Sequence, residues 1–158
     1  MGVKTTVLAL LGWLALSFAA GFVGSRFTPS QWYQQLVKPS WTPPGAVFGP
    51  VWSVLYIMMG IAAWMVWRNG EFNRVVTPLT LFIVQLVLNA LWSYFFFGTH
   101  RPALAYLDIV VLWVIIVLTM VTFWRVSPVA GGLLIPYLAW VTFASFLNLA
   151  IWRLNPRG

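Results

Sequence analysis

Residues 102–125 read PALAYLDIVVLWVIIVLTMVTFWR. Between Pro102 and Trp124 a single charge, Asp108, interrupts a predominantly apolar run that closes on Arg125. A helix needs about 20 apolar residues to cross a hydrocarbon core roughly 30 Å thick, and this stretch supplies them. Four further runs of similar length flank it, over about 5–25, 46–67, 78–98 and 128–152. Lys4, Arg26, Arg68, His100, Arg101 and Arg153 stand at their edges. Barrel strands alternate over about 10 residues, whereas these runs are longer and continuously apolar. With backbone groups that must pair internally in lipid, the pattern predicts an all-α integral membrane protein. Residues 1–158 are expected to form one domain, a five-transmembrane-helix bundle with spans about 5–25, 46–67, 78–98, 102–124 and 128–152.

Composition agrees. The 158 residues are 61% hydrophobic, 18% aromatic and 7% charged, with mean hydropathy +0.89. Soluble domains carry about 25% charged residues, so a soluble monomer is excluded. No cysteine is present, which removes disulfides, thiolate catalysis and Cys-ligated metals. His100, Glu71 and Asp108 are each the sole residue of their type. That stock builds no carboxylate pair, catalytic triad or multi-histidine metal site within one chain, so no metal site and no required cofactor are expected. The net charge of +7 is spread over Lys4, Arg26, Lys38, Arg68, Arg74, Arg101, Arg125, Arg153 and Arg157. They sit at run edges as headgroup anchors, which makes membrane lipid a partner and argues against nucleic acid.

Pro78, Pro102 and Pro128 are each expected at a helix start, where the missing N–H is unpaired anyway. The first run has an alternative reading as a cleaved signal peptide, but its length, Trp13 and Arg26 suit a retained span. One connection is long: residues 26–45 read RFTPSQWYQQLVKPSWTPPG. Trp32, Tyr33, Trp41 and four prolines argue for an ordered first loop, with Ser30 capping a short helix over Gln31–Val37. It is either a lid over one end of the bundle or an interfacial anchor. The basic residues divide almost evenly between the two sides, leaning toward a cytoplasmic first loop and C-terminus.

Polar groups inside a span are costly and mark sites or interhelical bonds. Gln85, Asn89 and Trp92 share one helix face, as do Trp52 and Tyr56, and Tyr137, Trp140, Ala144 and Asn148. Pro136 cannot donate to Gly132, so the fifth span should kink there. These faces either form a pocket for a flat, apolar ligand or are simply core aromatics with interhelical amides. Asp108, about 9 Å into its helix, is either a ligand contact or an acceptor for a neighbouring Arg or Trp. The pairs Ser17/Gly21 and Ala20/Gly24 permit close helix approach, within one protomer or between two.

Several blocks carry a family resemblance. They are Trp32-Tyr33-x-x-Leu36-x-Lys38-Pro39-x-Trp41-x-Pro43-Pro44, Pro50-Val51-Trp52-x-x-Leu55-Tyr56, Gln85-Leu86-x-Leu88-Asn89-x-x-Trp92-x-x-x-Phe96-Phe97 and Pro136-Tyr137-Leu138-x-Trp140-x-x-Phe143-Ala144-x-x-Leu147-Asn148. In this order they resemble the tryptophan-rich sensory protein (TspO) family, which includes the mitochondrial translocator protein. The resemblance implies a five-helix bundle, often a homodimer, with a pocket beneath the first loop that takes porphyrins and related tetrapyrroles. It implies a pocket lined by Trp32, Tyr33, Trp52, Tyr56, Asn89, Trp92, Trp140 and Ala144, to which the shared faces add Gln85, Tyr137 and Asn148. Propionate groups would meet Lys38, Arg26 or Arg101. The family's cholesterol motif needs a tyrosine where this chain has Leu149, so tetrapyrroles are expected rather than sterols.

The expected function is a membrane receptor or sensor that binds, regulates or carries tetrapyrroles, in a bacterial cell membrane or, in a eukaryote, the mitochondrial outer membrane. The alternatives are a light- and oxygen-dependent porphyrin-degrading enzyme that uses Trp52 and Trp140, and a transporter of apolar ligands such as sterols.

Overall fold

The computed structural model describes residues 2–27 and 29–156; Arg157, read above as an interfacial anchor, lies outside the described residues. The chain forms α1 (Val3–Ser25), α2 (Gln31–Gln35), α3 (Gly45–Asn69), α4 (Phe72–Ser93), α5 (Pro102–Val126), α6 (Pro128–Leu133) and α7 (Ile135–Leu154). A π-helical turn over Tyr94–Gly98 prolongs α4. No strand occurs among the described residues. Five segments are long and apolar enough to cross a membrane: Val3–Ser25, Gly45–Asn69, Phe72–Gly98, Pro102–Val126 and Pro128–Leu154. The all-α, five-span architecture follows from the apolar runs.

Apolar side chains such as Leu8, Leu11, Leu107 and Phe146 face outward, while Ser17, Gln85, Asn89, Asp108, Thr119 and Asn148 are buried. This distribution suits a lipid solvent, in which polar atoms find partners only inside the bundle. The small residues of α1 are spent within the protomer. A Cβ on Gly21 would stand 2.5 Å from the Tyr56 ring, and one on Gly24 would stand 3.0 Å from the Ser93 hydroxyl. On α3, Gly60 meets the backbone of Leu14, 2.9 Å from its Cα to a built Cβ. Helices α1 and α3 therefore pack backbone to backbone, which only small residues allow.

The prolines behave in two ways. Pro102 and Pro128 occupy the first turns of α5 and α6, as their missing N–H groups favour. Pro78 does not open a helix; it lies inside α4, which begins at Phe72. The Glu71 carbonyl accepts from the N–H groups of Arg74 (2.9 Å) and Val75 (3.2 Å), so a helical turn forms before the apolar run begins. Helix length is set by backbone pairing, so the helix starts before the apolar run that betrays it. Near Pro136 the helical pattern is interrupted at one residue: α6 stops at Leu133 and α7 begins at Ile135, with Leu134 (φ −87°, ψ −9°) between them.

Residues 29–43 of the first loop lie over one end of the bundle. Its helix is shorter than expected, Gln31–Gln35, because Leu36 turns extended (φ −65°, ψ 140°). Ser30 occupies the N-cap position without a side-chain cap bond. Trp32 stacks on His100 (centroids 4.4 Å, 18°), Tyr33 meets Phe97 edge-on at 5.5 Å, and Trp41 meets Phe143 at 5.7 Å.

Candidate ligand-binding site

Beneath this lid lies a cavity of about 710 Å³, within the range of about 300–1,000 Å³ usual for small-molecule sites. Helix α3 presents Phe48, Trp52 and Tyr56 to it, spaced i, i+4, i+8. Helix α4 adds Asn89 and Trp92, and α7 adds Trp140, Ala144 and Asn148. The π turn after α4 shifts the register by one residue, closed by the Thr99 N–H donating to the Tyr94 carbonyl at 2.8 Å. Phe96 and Phe97 both face the cavity as a result, with Phe96 stacked on Trp92 (5.2 Å, 22°). The lid contributes Tyr33, whose phenol burial pushes above the ordinary tyrosine range.

On the α1 side, Phe18 and Phe22 line the cavity yet remain exposed, as do Gly49 and Ser53 of α3. The cavity therefore reaches the lipid-facing surface along the α1–α3 seam. Among the described residues, no lining side chain is charged or a histidine.

The polar groups under the cavity form one chain of bonds. The Tyr56 hydroxyl donates to Asn89 Oδ1 (2.8 Å), and Asn89 Nδ2 donates to the Tyr137 hydroxyl oxygen (3.1 Å). The Tyr137 hydroxyl then donates to Gln85 Oε1 (2.7 Å), and Gln85 Nε2 donates to the Met59 sulfur (3.7 Å). Helices α3, α4 and α7 are thereby fixed in register by groups that would be costly to leave unpaired. A separate bond joins Trp92 Nε1 to Asn148 Oδ1, and Asn148 Nδ2 donates to the Pro102 carbonyl (2.9 Å). Trp140 is the exception: its Nε1 is buried with no partner, while its ring lies edge-on to Phe48 at 5.7 Å.

Of the residues singled out in the sequence, Tyr33, Trp52, Tyr56, Asn89, Trp92, Trp140, Ala144 and Asn148 converge on the cavity. Gln85 and Tyr137 lie below it in the bond chain, and Trp32 lies outside it against His100 and Phe96. The three expected anion contacts do not line it. Lys38 donates to the Tyr33 and Leu36 carbonyls (2.7 and 3.1 Å), and Arg26 sits over the Phe22 ring at 4.9 Å. Arg101 is exposed at the N-cap of α5. Asp108 is buried, but Oδ2 has no partner and the residue does not reach the cavity. Phe48 and the α1 wall were not picked out; Phe48 stands one turn before Trp52, a spacing that could have found it.

The profile of the TspO/MBR family matches residues 13–153. The chain is 51% identical to the tryptophan-rich protein TspO of Chlorobaculum tepidum, across 95% of this chain and 98% of that protein. It is 44% identical to protein CrtK of Rhodobacter capsulatus, across 87% and 86%. It is also 43% identical to the human translocator protein, across 85% and 82%. Similarity of this extent, joined to five apolar helices, leaves one assignment: the chain is an integral membrane protein of the TspO/MBR family.

Proposed function

We propose that the chain is a membrane receptor that takes porphyrins and related tetrapyrroles into this cavity, as their sensor, regulator or carrier. The observation that carries the reading is an uncharged cavity walled by aromatic rings, with one buried indole N–H left unpaired. A flat macrocycle offers a large π face to Trp52, Trp92 and Trp140. Its imine nitrogens or carbonyl oxygens offer an acceptor to Trp140 Nε1, whose unpaired burial costs about 1–3 kcal/mol. Propionates would lie at the mouth. Arg26 suits them better than Lys38, because its guanidinium covers the lining residue Phe22 whereas the Lys38 ammonium is committed to lid carbonyls.

The test is a titration of purified protein with protoporphyrin IX and with cholesterol, read by tryptophan fluorescence. Protoporphyrin should quench saturably, and Trp52→Phe with Trp140→Phe should weaken its binding by about tenfold, as two aromatic contacts predict. Unchanged affinity in the double variant would sink the assignment of the cavity. Displacement of the porphyrin by equimolar cholesterol would sink the ligand class.

A further inference from the structure

The lid is tied to the bundle by one side chain from the far end of the sequence. The Val37 N–H donates to Asn155 Oδ1 at 3.0 Å, and Asn155 Nδ2 donates back to the Val37 carbonyl at 2.8 Å. Among the described residues, these are the only hydrogen bonds that join residues 29–43 to another part of the fold. The other contacts that hold the lid down are apolar packing, through Trp32, Tyr33, Leu36 and Trp41. Such contacts are worth energy but tolerate sliding, whereas a two-bond amide clasp fixes register.

Both partners are prepared for the clasp. Leu36 leaves the helix in an extended conformation, so the following Val37 N–H and C=O have no helical partners. Asn155 is the C-cap of α7: its backbone N–H donates to the Ile151 carbonyl, and its Nδ2 donates to the same oxygen at 2.8 Å. Ile151 itself lines the cavity, as does Tyr33, four residues before Val37. The amide thus spans from the α7 wall of the cavity to its lid.

We propose that Asn155 is a positioning residue of the ligand site: it holds the lid, through Val37, over the cavity and sets the rate at which ligand exchanges. The consequence for ligand rests on the tetrapyrrole-binding reading, whereas the hold on the lid does not. Two solvent-exposed bonds are modest, so their loss should speed lid opening by about tenfold.

The experiment uses the full chain in lipid nanodiscs. Hydrogen exchange of residues 31–37 without ligand should be about tenfold faster in Asn155→Ala than in the parent. Asn155→Asp, which keeps the acceptor and loses the donor, should fall between them. Val37→Pro removes the other donor while leaving the α7 cap intact, and the extended Leu36 accommodates a following proline. Combined with Asn155→Ala, it should add nothing further, since both act through one contact. With protoporphyrin IX, association and dissociation should both quicken about tenfold while the dissociation constant changes less, a signature that general destabilisation does not produce. Parent-like lid exchange in Asn155→Ala overturns the proposal, as does faster lid exchange with parent-like protoporphyrin kinetics. Absence of protoporphyrin binding in the parent overturns the tetrapyrrole reading and with it the exchange role, while the hold on the lid is decided by hydrogen exchange alone.

Discussion

The indole N–H of Trp92 donates to Oδ1 of Asn148 at 2.9 Å, so one wall of the cavity is bolted to another. The bond fixes the plane that Trp92 presents to the cavity, and Asn148 is in turn held by the Pro102 carbonyl. Hydrogen bonds between membrane helices contribute about 0.6 kcal/mol on average and up to about 1.7. Asn148→Ala should therefore cost about 1–2 kcal/mol in detergent unfolding, because two bonds go and the Trp92 N–H is stranded. Protoporphyrin affinity should fall with it.

The tyrosines of the buried bond chain are unequal. Tyr137 both donates to Gln85 and accepts from Asn89, while Tyr56 makes one bond. Tyr137→Phe should destabilise about twice as much as Tyr56→Phe, with the latter near 0.6 kcal/mol. Unfolding midpoints of the two single variants check the ratio; equal losses would show that the chain is not shared as described.

Gly21 leaves no room for a side chain, since its built Cβ falls 2.5 Å from the Tyr56 ring. Gly21→Val should push α1 away from α3, at a cost of about 1–3 kcal/mol. The displaced Tyr56 should also lose Asn89, so Gly21→Val and Tyr56→Phe should combine less than additively. Unfolding of the double variant reads this out.

Ala144 lies one turn after Trp140 on the cavity wall. Ala144→Leu fills space that a ligand needs without touching any of the hydrogen bonds described above. Protoporphyrin binding should weaken by about tenfold or more while stability stays within about 1 kcal/mol. A titration paired with a thermal melt separates the two effects, and undiminished binding would place the ligand elsewhere.

What the sequence showed depended on what each feature requires. The spans were legible because crossing a bilayer demands length and apolarity, both visible in residues 102–125. Helix ends were less so: Pro78 lies inside α4 rather than at its start, because Glu71 had already begun pairing with Arg74 and Val75. The inward faces of α3, α4 and α7 were readable from stride, since tryptophans, tyrosines and amides stand out among aliphatic residues. Phe18 and Phe22 of α1 carried no such mark, since inside and outside are equally apolar in lipid. The π turn at Tyr94–Gly98 was illegible for a different reason. It changes which residues share a face, and so defeats the periodicity used to find faces. Lys38 showed a charge near the lid, but its spacing could not reveal that the ammonium turns back onto the Tyr33 and Leu36 carbonyls.

The open seam between α1 and α3 alters what concentration means for this site. A cavity that meets the acyl layer equilibrates with solute dissolved in lipid, so the quantity that fills it is a mole fraction in the membrane. Each buried methylene is worth about 0.8 kcal/mol in that partition, and greasy solutes are therefore enriched before any residue touches them. On the ligand-binding proposal, selection by the aromatic walls acts on a population that the bilayer has already sorted, and two ligands of equal intrinsic fit should differ in apparent affinity by their solubility in lipid alone.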